Sequence, residues 1–132
     1  MISVTRPVWV IVACLVLTTA GCNRRLNFER SLTMGPGDVR SFSVEAPRVQ
    51  QKVTITFSSS EVPVDVYVAL EKDIEAASSA LQNYKAPQGI LASQMKARQG
   101  SVDVTIPART AYGVIVAGST KDTTVQVKMT GK

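Results

Sequence analysis

The alternation of apolar and polar residues over positions 51–70 constrains the fold of this chain more than any other feature of its sequence. Val53, Ile55 and Phe57 alternate with polar residues up to the serine-rich segment 58–61, and a second alternation follows it. The apolar positions of the second run are Val62, Val64, Val66, Val68 and Leu70. A period of two residues is typical of a β-strand with one buried face. We therefore predict two strands whose connection is either a β-hairpin or a link between the two sheets of a sandwich.

Shorter alternating runs on both sides of this central segment predict further strands. Their apolar positions are Leu32 and Met34, then Phe42, Val44 and Ala46, a brief run at 90–92, then Val102, Val104 and Ile106, the run at 112–117, and finally Val125, Val127 and Met129. Turn-forming residues separate these runs, including 35–38 and the segment 118–122, which we predict to be a hairpin loop. Short strands at this spacing favour an antiparallel sandwich over a parallel α/β fold.

One segment after Leu70 has the period of a helix instead of a strand. Its apolar positions are Ile74, Ala77, Leu81 and Tyr84, at spacings of three and four residues. This pattern predicts a short amphipathic helix over about 74–84, with Asp73 as its N-cap and with Pro87 and Gly89 preventing its continuation. The expected fold is therefore mainly all-β: an antiparallel, jelly-roll-like β-sandwich of about six to eight short strands with one short helix.

Residues 1–22 have the three parts of a signal peptide for export. A short charged start up to Arg6 precedes a run of apolar residues at 8–17, which is too short to cross a membrane because about 20 residues are needed. The small residues of 17–22 resemble the lipobox of bacterial lipoproteins, which implies that Cys22 is acylated and becomes the mature N-terminus. Thr19 stands where that motif usually has leucine, so cleavage after Ala20, which would release a secreted protein with a free thiol, stays open as an alternative.

The charge pattern argues against a nucleic-acid partner. The net charge is +5, and it falls to +4 when the leader with Arg6 is removed. The basic residues are scattered and are not interleaved with aromatic residues, whereas nucleic-acid surfaces cluster both. Arg24 and Arg25 directly follow Cys22, where they are placed to meet anionic lipid headgroups. We assign 23–30 to a polar tether and 31–132 to the sandwich domain.

Residues for the common catalytic and metal sites are missing from the sequence. The chain contains no histidine, which excludes Ser-His-Asp and Cys-His nucleophile systems and histidine metal sites. Glu71, Asp73 and Glu75 alternate like the first ligands of a calcium loop, but the glycine and the bidentate glutamate of an EF-hand are absent. A looser calcium site that adds Asp65 remains an alternative. We predict no catalytic residue, no cofactor and no metal site.

Asp65 and Tyr67 are the candidate ligand-binding residues. Both fall on the outward face of the second central strand. Sugar-binding surfaces usually present exposed aromatic rings, and Trp9 is lost with the leader. Tyr67 is therefore the candidate sugar contact, and the alternative is a tyrosine whose ring packs under a loop.

The spacing of the apolar positions resembles that of the bacterial pre-peptidase C-terminal domain. The resemblance covers about residues 32–129. It is carried by Leu32, Gly35, Phe42, Val44, Val53, Ile55, Phe57 and the segments 65–68 and 112–116. The resemblance implies a jelly-roll-like β-sandwich of a secreted protein. Two features differ from the family pattern: the predicted helix stands where the family usually has a loop, and the last strand lacks the common Gly-x-Tyr-x-Leu motif.

These features predict an exported envelope lipoprotein, anchored on the periplasmic or cell-surface side, whose non-catalytic β-sandwich is a binding or structural module. Its expected partners are the membrane, through the lipid on Cys22, and an envelope protein or polysaccharide. The alternatives are a secreted carbohydrate-binding module and a calcium-dependent or carboxylate-based accessory domain of an enzyme.

Overall fold

Residues 26–131, which the computed structural model describes, form two four-stranded antiparallel sheets and one helix. The strands are β1 (Asn27–Met34), β2 (Arg40–Val44), β3 (Gln51–Ser59), β4 (Val64–Leu70), β5 (Ile90–Ala97), β6 (Gln99–Ile106), β7 (Tyr112–Ala117) and β8 (Thr123–Gly131), and helix α1 (Glu71–Gln82) follows β4. The first sheet has the order β1-β8-β3-β6 and the second the order β2-β7-β4-β5. Nearly all consecutive strands lie in opposite sheets, as in a jelly roll. The predicted antiparallel β-sandwich is confirmed.

The two strands of the central segment lie in different sheets and face each other across the core. β3 belongs to the first sheet and β4 to the second, so the residues between them connect the sheets and do not close a hairpin. The inward side chains are Val53, Ile55 and Phe57 of β3 and Val64, Val66 and Val68 of β4, none more than 1% exposed. Each buried side chain of this size contributes roughly 1.5–3 kcal/mol to folding. Val62, expected in the second strand, lies in the connection before β4.

β1 begins at Asn27, so half of the predicted tether at 23–30 belongs to the sandwich. The strand pairs with β8 along its whole length, and the Phe28 ring packs 5.8 Å from the ring of Phe42 in β2. Arg30 occupies a core-facing position of β1 between Phe28 and Leu32, but its side chain is exposed at the edge of the sandwich, with the guanidinium 5.1 Å from the Phe42 ring. An inward charge on an edge strand discourages pairing with another chain. It also interrupts the apolar alternation, which is why the sequence pattern placed the start of the strand too late.

Two further boundaries differ from the predictions. The segment 118–122 joins β7 of the second sheet to β8 of the first, so it is not a hairpin loop. Buried Ser119 fixes its path, because the Ser119 hydroxyl donates a hydrogen bond to the Gly35 carbonyl at 2.8 Å. β5 continues past the predicted run at 90–92 as far as Ala97, and two register shifts in this edge strand break its alternation.

The helix begins earlier than predicted. α1 starts at Glu71, directly after Leu70, and its N-cap makes no side-chain hydrogen bond. The predicted capping role of Asp73 is therefore wrong, and Asp73 lies within the first turn, where a carboxylate favours the positive end of the helix dipole. No helix in the described part of the chain is long and apolar enough to span a membrane.

The helix also ends earlier than predicted, because Tyr84 takes the left-handed conformation with a φ of 57°. The N–H groups of Tyr84 and Lys85 donate to the carbonyls of Leu81 and Ala80 at 3.1 and 2.8 Å. This pair of bonds is a Schellman ending, which usually has glycine at the left-handed position. Tyr84 is consequently 93% exposed and is not part of the apolar helix face.

α1 packs on the outer face of the second sheet. Its buried residues Ile74 and Ala77 contact a second apolar cluster that contains Tyr67, Ala69 and Ile115. Gly113 makes this close approach possible, since a Cβ there would collide with the Ile74 side chain and the Phe42 carbonyl. The second sheet is therefore buried on both faces over its centre.

Tyr112 places a polar group inside the main core. Its side chain is 1% exposed, and its hydroxyl has no hydrogen-bond partner among the described residues. Burial disfavours the charged phenolate and raises the pKa of Tyr112 from 10.0 to about 12. A buried donor without a partner costs about 1–3 kcal/mol.

We expect Phe57→Ala to lower the free energy of unfolding by about 3–5 kcal/mol, because it leaves a cavity between β3 and β4. Exposed Thr56 is the matched control on the other face of the same strand, and Thr56→Ala should change it by less than about 0.5 kcal/mol. Urea unfolding of both variants measures the difference. Equal losses would contradict the register of β3, since a shift of one residue exchanges its two faces.

Replacing Tyr112 with phenylalanine should raise the free energy of unfolding by about 1 kcal/mol near neutral pH, because the unpaired hydroxyl is removed while the ring is kept. The wild type should also lose stability at high pH. The pKa of Tyr112 is raised in the folded state, so its contribution to the free energy of unfolding is fully present below about pH 10. This contribution is lost as the pH rises toward 12, and the loss is about 2.7 kcal/mol at most.

Tyr112→Phe lacks this contribution, so its unfolding free energy should fall less steeply over the same range. Urea unfolding at about pH 8 and about pH 11 compares the two proteins and cancels the effect of the other tyrosines. Equal decreases in both would show that the Tyr112 hydroxyl is not buried as described.

Candidate functional site

The two outer faces of the sandwich differ in what covers them. α1 lies over the second sheet, and Tyr67 and Ile115 beneath it are buried. On the first sheet, the outward side chains of β1, β8, β3 and β6 are polar and mostly exposed, and no described element lies over them. We call this outer surface of the first sheet the polar face. It is the candidate functional site.

The registers of the four strands align the side chains of the polar face in three rows. Each row crosses the strands in the order β1, β8, β3, β6, and the rows are Ser31, Gln126, Ser58 and Gln99, then Glu29, Lys128, Thr56 and Ser101, then Asn27, Thr130, Thr54 and Asp103. Directly opposed side chains in antiparallel strands have Cβ atoms about 4.5–5.5 Å apart. The face is therefore a regular grid of hydroxyl, amide and charged groups.

Local hydrogen bonds hold part of this grid in place. The Thr54 hydroxyl donates to the Asp103 carboxylate at 2.7 Å, and the Gln126 amide donates to the Ser31 hydroxyl at 3.2 Å. Such bonds restrict side-chain rotation before a ligand arrives, which lowers the entropy cost of binding.

The charges of the polar face balance. Lys52 and Lys128 supply two positive charges, and Glu29 and Asp103 supply two negative charges. Opposite charges at Glu29 and Lys128 are direct cross-strand neighbours, which is a favourable pairing. A ligand with little net charge fits such a face better than a polyanion or a polycation.

Two open grooves run over the polar face. One has a volume of about 680 Å³ and is lined by residues that include Lys52, Thr54 and Asp103. The other has a volume of about 820 Å³ and is lined by residues that include Thr56 and Ser101. Lys128 lines both grooves, so they adjoin. Adjoining open grooves suit an extended ligand better than a small enclosed one.

The polar face offers hydrogen-bonding groups and no catalytic pair. Asp103 is the one carboxylate that lines the first groove, and Glu29 is the one that lines the second. Glycoside hydrolysis would need two carboxylates on either side of one bond. Across residues 26–131, no three histidine, cysteine, aspartate or glutamate side chains form a group that could hold a metal ion.

Asp65 and Tyr67 lie away from the polar face, on the outer side of the second sheet. The Asp65 carboxylate accepts the Lys96 backbone N–H at 2.7 Å and so supports the irregular edge strand β5. Asp65 is near the start of β4, whereas Glu71, Asp73 and Glu75 follow its end in α1. The length of the strand therefore separates Asp65 from the other three carboxylates of the looser calcium site.

Tyr67 faces outward from its strand as predicted, but α1 covers it and leaves only 3% of the side chain exposed. Burial, and to a smaller degree the charge of Asp65, raises the pKa of Tyr67. Its side chain borders a smaller groove of about 400 Å³ with Leu81, Ile90 and Met95. This burial argues against a stacking platform for sugars, and a ligand role for Asp65 or Tyr67 stays a prediction.

Sequence reasoning placed part of the polar face but did not identify it as a site. The alternation of β3 correctly predicts that Lys52, Thr54 and Thr56 point away from the core. The rows arise only when β6 and β8 pair with β3. These partners are distant in the sequence: Asp103 of β6 is 49 residues from Thr54, and Lys128 of β8 is 72 residues from Thr56.

Several solved structures have a similar fold. PliG from Aeromonas hydrophila, a periplasmic inhibitor of g-type lysozyme, has a TM-score of 0.53 and 11% sequence identity, covering 82% of this chain and 88% of that chain. The pre-peptidase C-terminal domain of Bacillus anthracis collagenase has a TM-score of 0.49 and 15% identity, covering 80% and 88%. PliG from Salmonella Typhimurium has a TM-score of 0.43 and 16% identity, covering 80% and 91%.

The sequence itself matches no protein-family model and no curated protein. At 11% identity, the similarity to Aeromonas hydrophila PliG shows the fold alone. The β-sandwich implied by the resemblance to the pre-peptidase C-terminal domain is present, and membership of that family stays a prediction.

Proposed function

We propose that this chain is an exported envelope lipoprotein whose non-catalytic sandwich binds an extended, hydroxyl-rich polysaccharide on the polar face. The observation that carries the proposal is the exposed grid of hydroxyl, amide and balanced charged groups on the first sheet. Repeating hydroxyl groups on a polymer match a surface that repeats hydrogen-bonding groups row after row. Adjoining grooves along the same face leave room for several units of such a polymer.

The anchoring part of the proposal rests on the sequence of the leader. Small residues directly precede Cys22 at the end of an export signal. Two or three acyl chains on this residue, at about 0.8 kcal/mol per buried methylene, would hold the protein on the membrane permanently. Leu26, the first described residue, adjoins the start of β1, so the anchor would connect to the sandwich through a very short segment.

Lipidation is tested by the intact mass of protein extracted from membranes. We expect a chain that begins at Cys22 and carries diacylglycerol, and we expect Cys22→Ser to leave the precursor unprocessed. High salt should not release the wild type, because the burial of acyl chains does not depend on ionic screening. A soluble chain that begins at Gly21 with an unmodified thiol would overturn the anchoring, and the protein would then be secreted.

Ligand binding is tested at the centre of the grid. We expect Thr56→Arg to weaken retention on isolated cell-wall polysaccharide by about tenfold or more, because the long side chain fills the groove and displaces a hydrogen-bonding hydroxyl. Ser43→Arg is the matched control, since Ser43 is also an exposed hydroxyl residue in a strand, but on the second sheet. Its retention should equal that of the wild type.

The readout is co-sedimentation with insoluble polysaccharide, supported by a glycan array. Equal losses in both variants would show that the polar face is not the binding surface. Absence of any glycan retention, together with an envelope protein that co-purifies with the wild type but not with Thr56→Arg, would overturn the polysaccharide and assign the same face to a protein partner.

A further inference from the structure

The floor of the first groove presents hydrogen-bond acceptors. Thr54 of β3 and Asp103 of β6 are direct cross-strand neighbours that line it. The Thr54 hydroxyl donates its one proton to Oδ1 of Asp103 at 2.7 Å, so toward a ligand the Thr54 oxygen acts as an acceptor. An ionised carboxylate has no proton to give, and Thr54 occupies only one of its two oxygens. This pair therefore needs a ligand that donates hydrogen bonds.

Two ammonium groups flank this pair within the same groove. Lys52 precedes Thr54 by two residues on the same face of β3, and Lys128 of β8 lies opposite Thr56, in the next row on the other side. Successive rows are about 7 Å apart, because a strand rises about 3.4 Å per residue. Among residues 26–131, no carboxylate lies within 4 Å of either ammonium. An ammonium group only donates, so the groove combines an acceptor centre with donors on both sides.

Charge alone does not select a ligand for this groove. Lys52 and Lys128 are matched by Asp103 and by Glu29, the cross-strand neighbour of Lys128. A carboxylate ligand would meet the lysines but would bring no proton for Asp103, and an ammonium ligand would serve Asp103 but be repelled by the lysines. A ligand hydroxyl both donates and accepts. Two hydroxyls on neighbouring carbon atoms of a sugar ring therefore match the groove, one beside Asp103 and the next beside Lys52.

On the basis of the polysaccharide binding proposed above, we propose that the first groove recognises a vicinal diol, which is a pair of hydroxyls on adjacent ring carbons. Asp103 accepts a hydrogen bond from one hydroxyl, and Lys52 donates one to its neighbour. Both bonds involve a charged group of the protein, and such bonds are roughly twice as strong as neutral ones. Thr54 is a positioning residue, because its hydroxyl holds the Asp103 carboxylate in place before the polymer arrives.

This mode of recognition favours neutral polysaccharides whose sugars have free neighbouring hydroxyls. A sugar with an acetamido group in place of one of these hydroxyls lacks the matching pair. The same is true of a sugar in which one of them forms the link to the next unit, because a linking oxygen has no proton to donate.

Periodate tests the diol, because it cleaves the carbon–carbon bond between adjacent hydroxyls. Isolated cell-wall polysaccharide is coupled to beads and used either intact or oxidised with periodate and then reduced with borohydride, which converts the new aldehydes to alcohols so that they do not react with lysines. Binding isotherms of the purified mature protein are measured on each form. We expect the wild type to bind the oxidised polymer about tenfold more weakly, because a charge-assisted hydrogen bond is lost.

Neutralising Asp103 separates recognition of the diol from other effects of oxidation on the polymer. Asp103→Asn keeps the shape of the side chain and an oxygen for Thr54 but removes the ionised acceptor. The affinity of this variant should fall by less than about threefold on oxidation. Glu29→Gln is the matched control, because Glu29 is the carboxylate of the same face that lines the second groove. It should keep the full effect of oxidation.

A pair of substitutions tests the positioning role of Thr54. Thr54→Val removes the hydroxyl but keeps the branched shape, so Asp103 should lose its fixed position and the effect of oxidation should fall to about threefold. Thr54→Ser keeps the hydroxyl and should retain the effect seen in the wild type. A full effect of oxidation in Thr54→Val would show that Thr54 does not position Asp103.

Three results separate recognition of the diol from binding of the polysaccharide. Absence of wild-type binding to the intact polymer would overturn polysaccharide binding itself, and the diol with it. Equal binding to the intact and oxidised polymers would overturn the diol and leave polysaccharide binding in place. Equal losses in the wild type and in Asp103→Asn would show that the changed shape of the polymer causes the loss, and would overturn the role of Asp103.

Discussion

The structure depends on the contact between β3 and β4 across the core. Each strand presents three fully buried side chains to the other sheet, and each is an inner strand of its own sheet. Both sheets therefore assemble around this contact, with β8 and β6 on the two sides of β3 and β7 and β5 on the two sides of β4. The connection between β3 and β4 crosses from one sheet to the other, which makes the apolar faces of the central segment meet instead of lying side by side.

A second consequence of this arrangement is that one outer face of the sandwich is covered by the helix and the other is exposed to water. β4 carries Tyr67 and Ala69 on its outer side, and these apolar groups need a cover. α1 supplies it, and Gly113 lets the helix approach closely. β3 instead carries lysine and threonine on its outer side, so the first sheet is left facing water. The same alternation that builds the core thus decides which face is available to a partner.

The positions of the chain ends add an orientation to this asymmetry. β1 and β8 are antiparallel neighbours, so the start of one lies beside the end of the other. An attachment at this end would direct the strands away from the surface that holds the protein. The polar face would then lie at the side of the molecule, because its rows cross the strands.

The sequence by itself determined the fold class and the inward residues of β3 and β4. It could do so because side chains alternate along a strand and because each of these strands keeps its apolar residues on one face over several positions. It was less successful where a charged residue takes an inward position, as Arg30 does in β1, or where register shifts break the alternation, as in β5. The helix boundaries also differed, because backbone geometry at Tyr84 ends α1 before the sequence signals at Pro87 and Gly89.

Only the tertiary structure decided where a ligand could bind. Tyr67 has the same outward position in sequence and in structure, but its exposure depends on whether a helix packs above it. The polar face unites residues from four strands, and its rows exist only after β1, β8, β3 and β6 have paired. Alternation along one strand is a local property of the chain, whereas covering and pairing depend on segments that are distant in sequence. That physical difference is why the core could be predicted from the sequence and the candidate site could not.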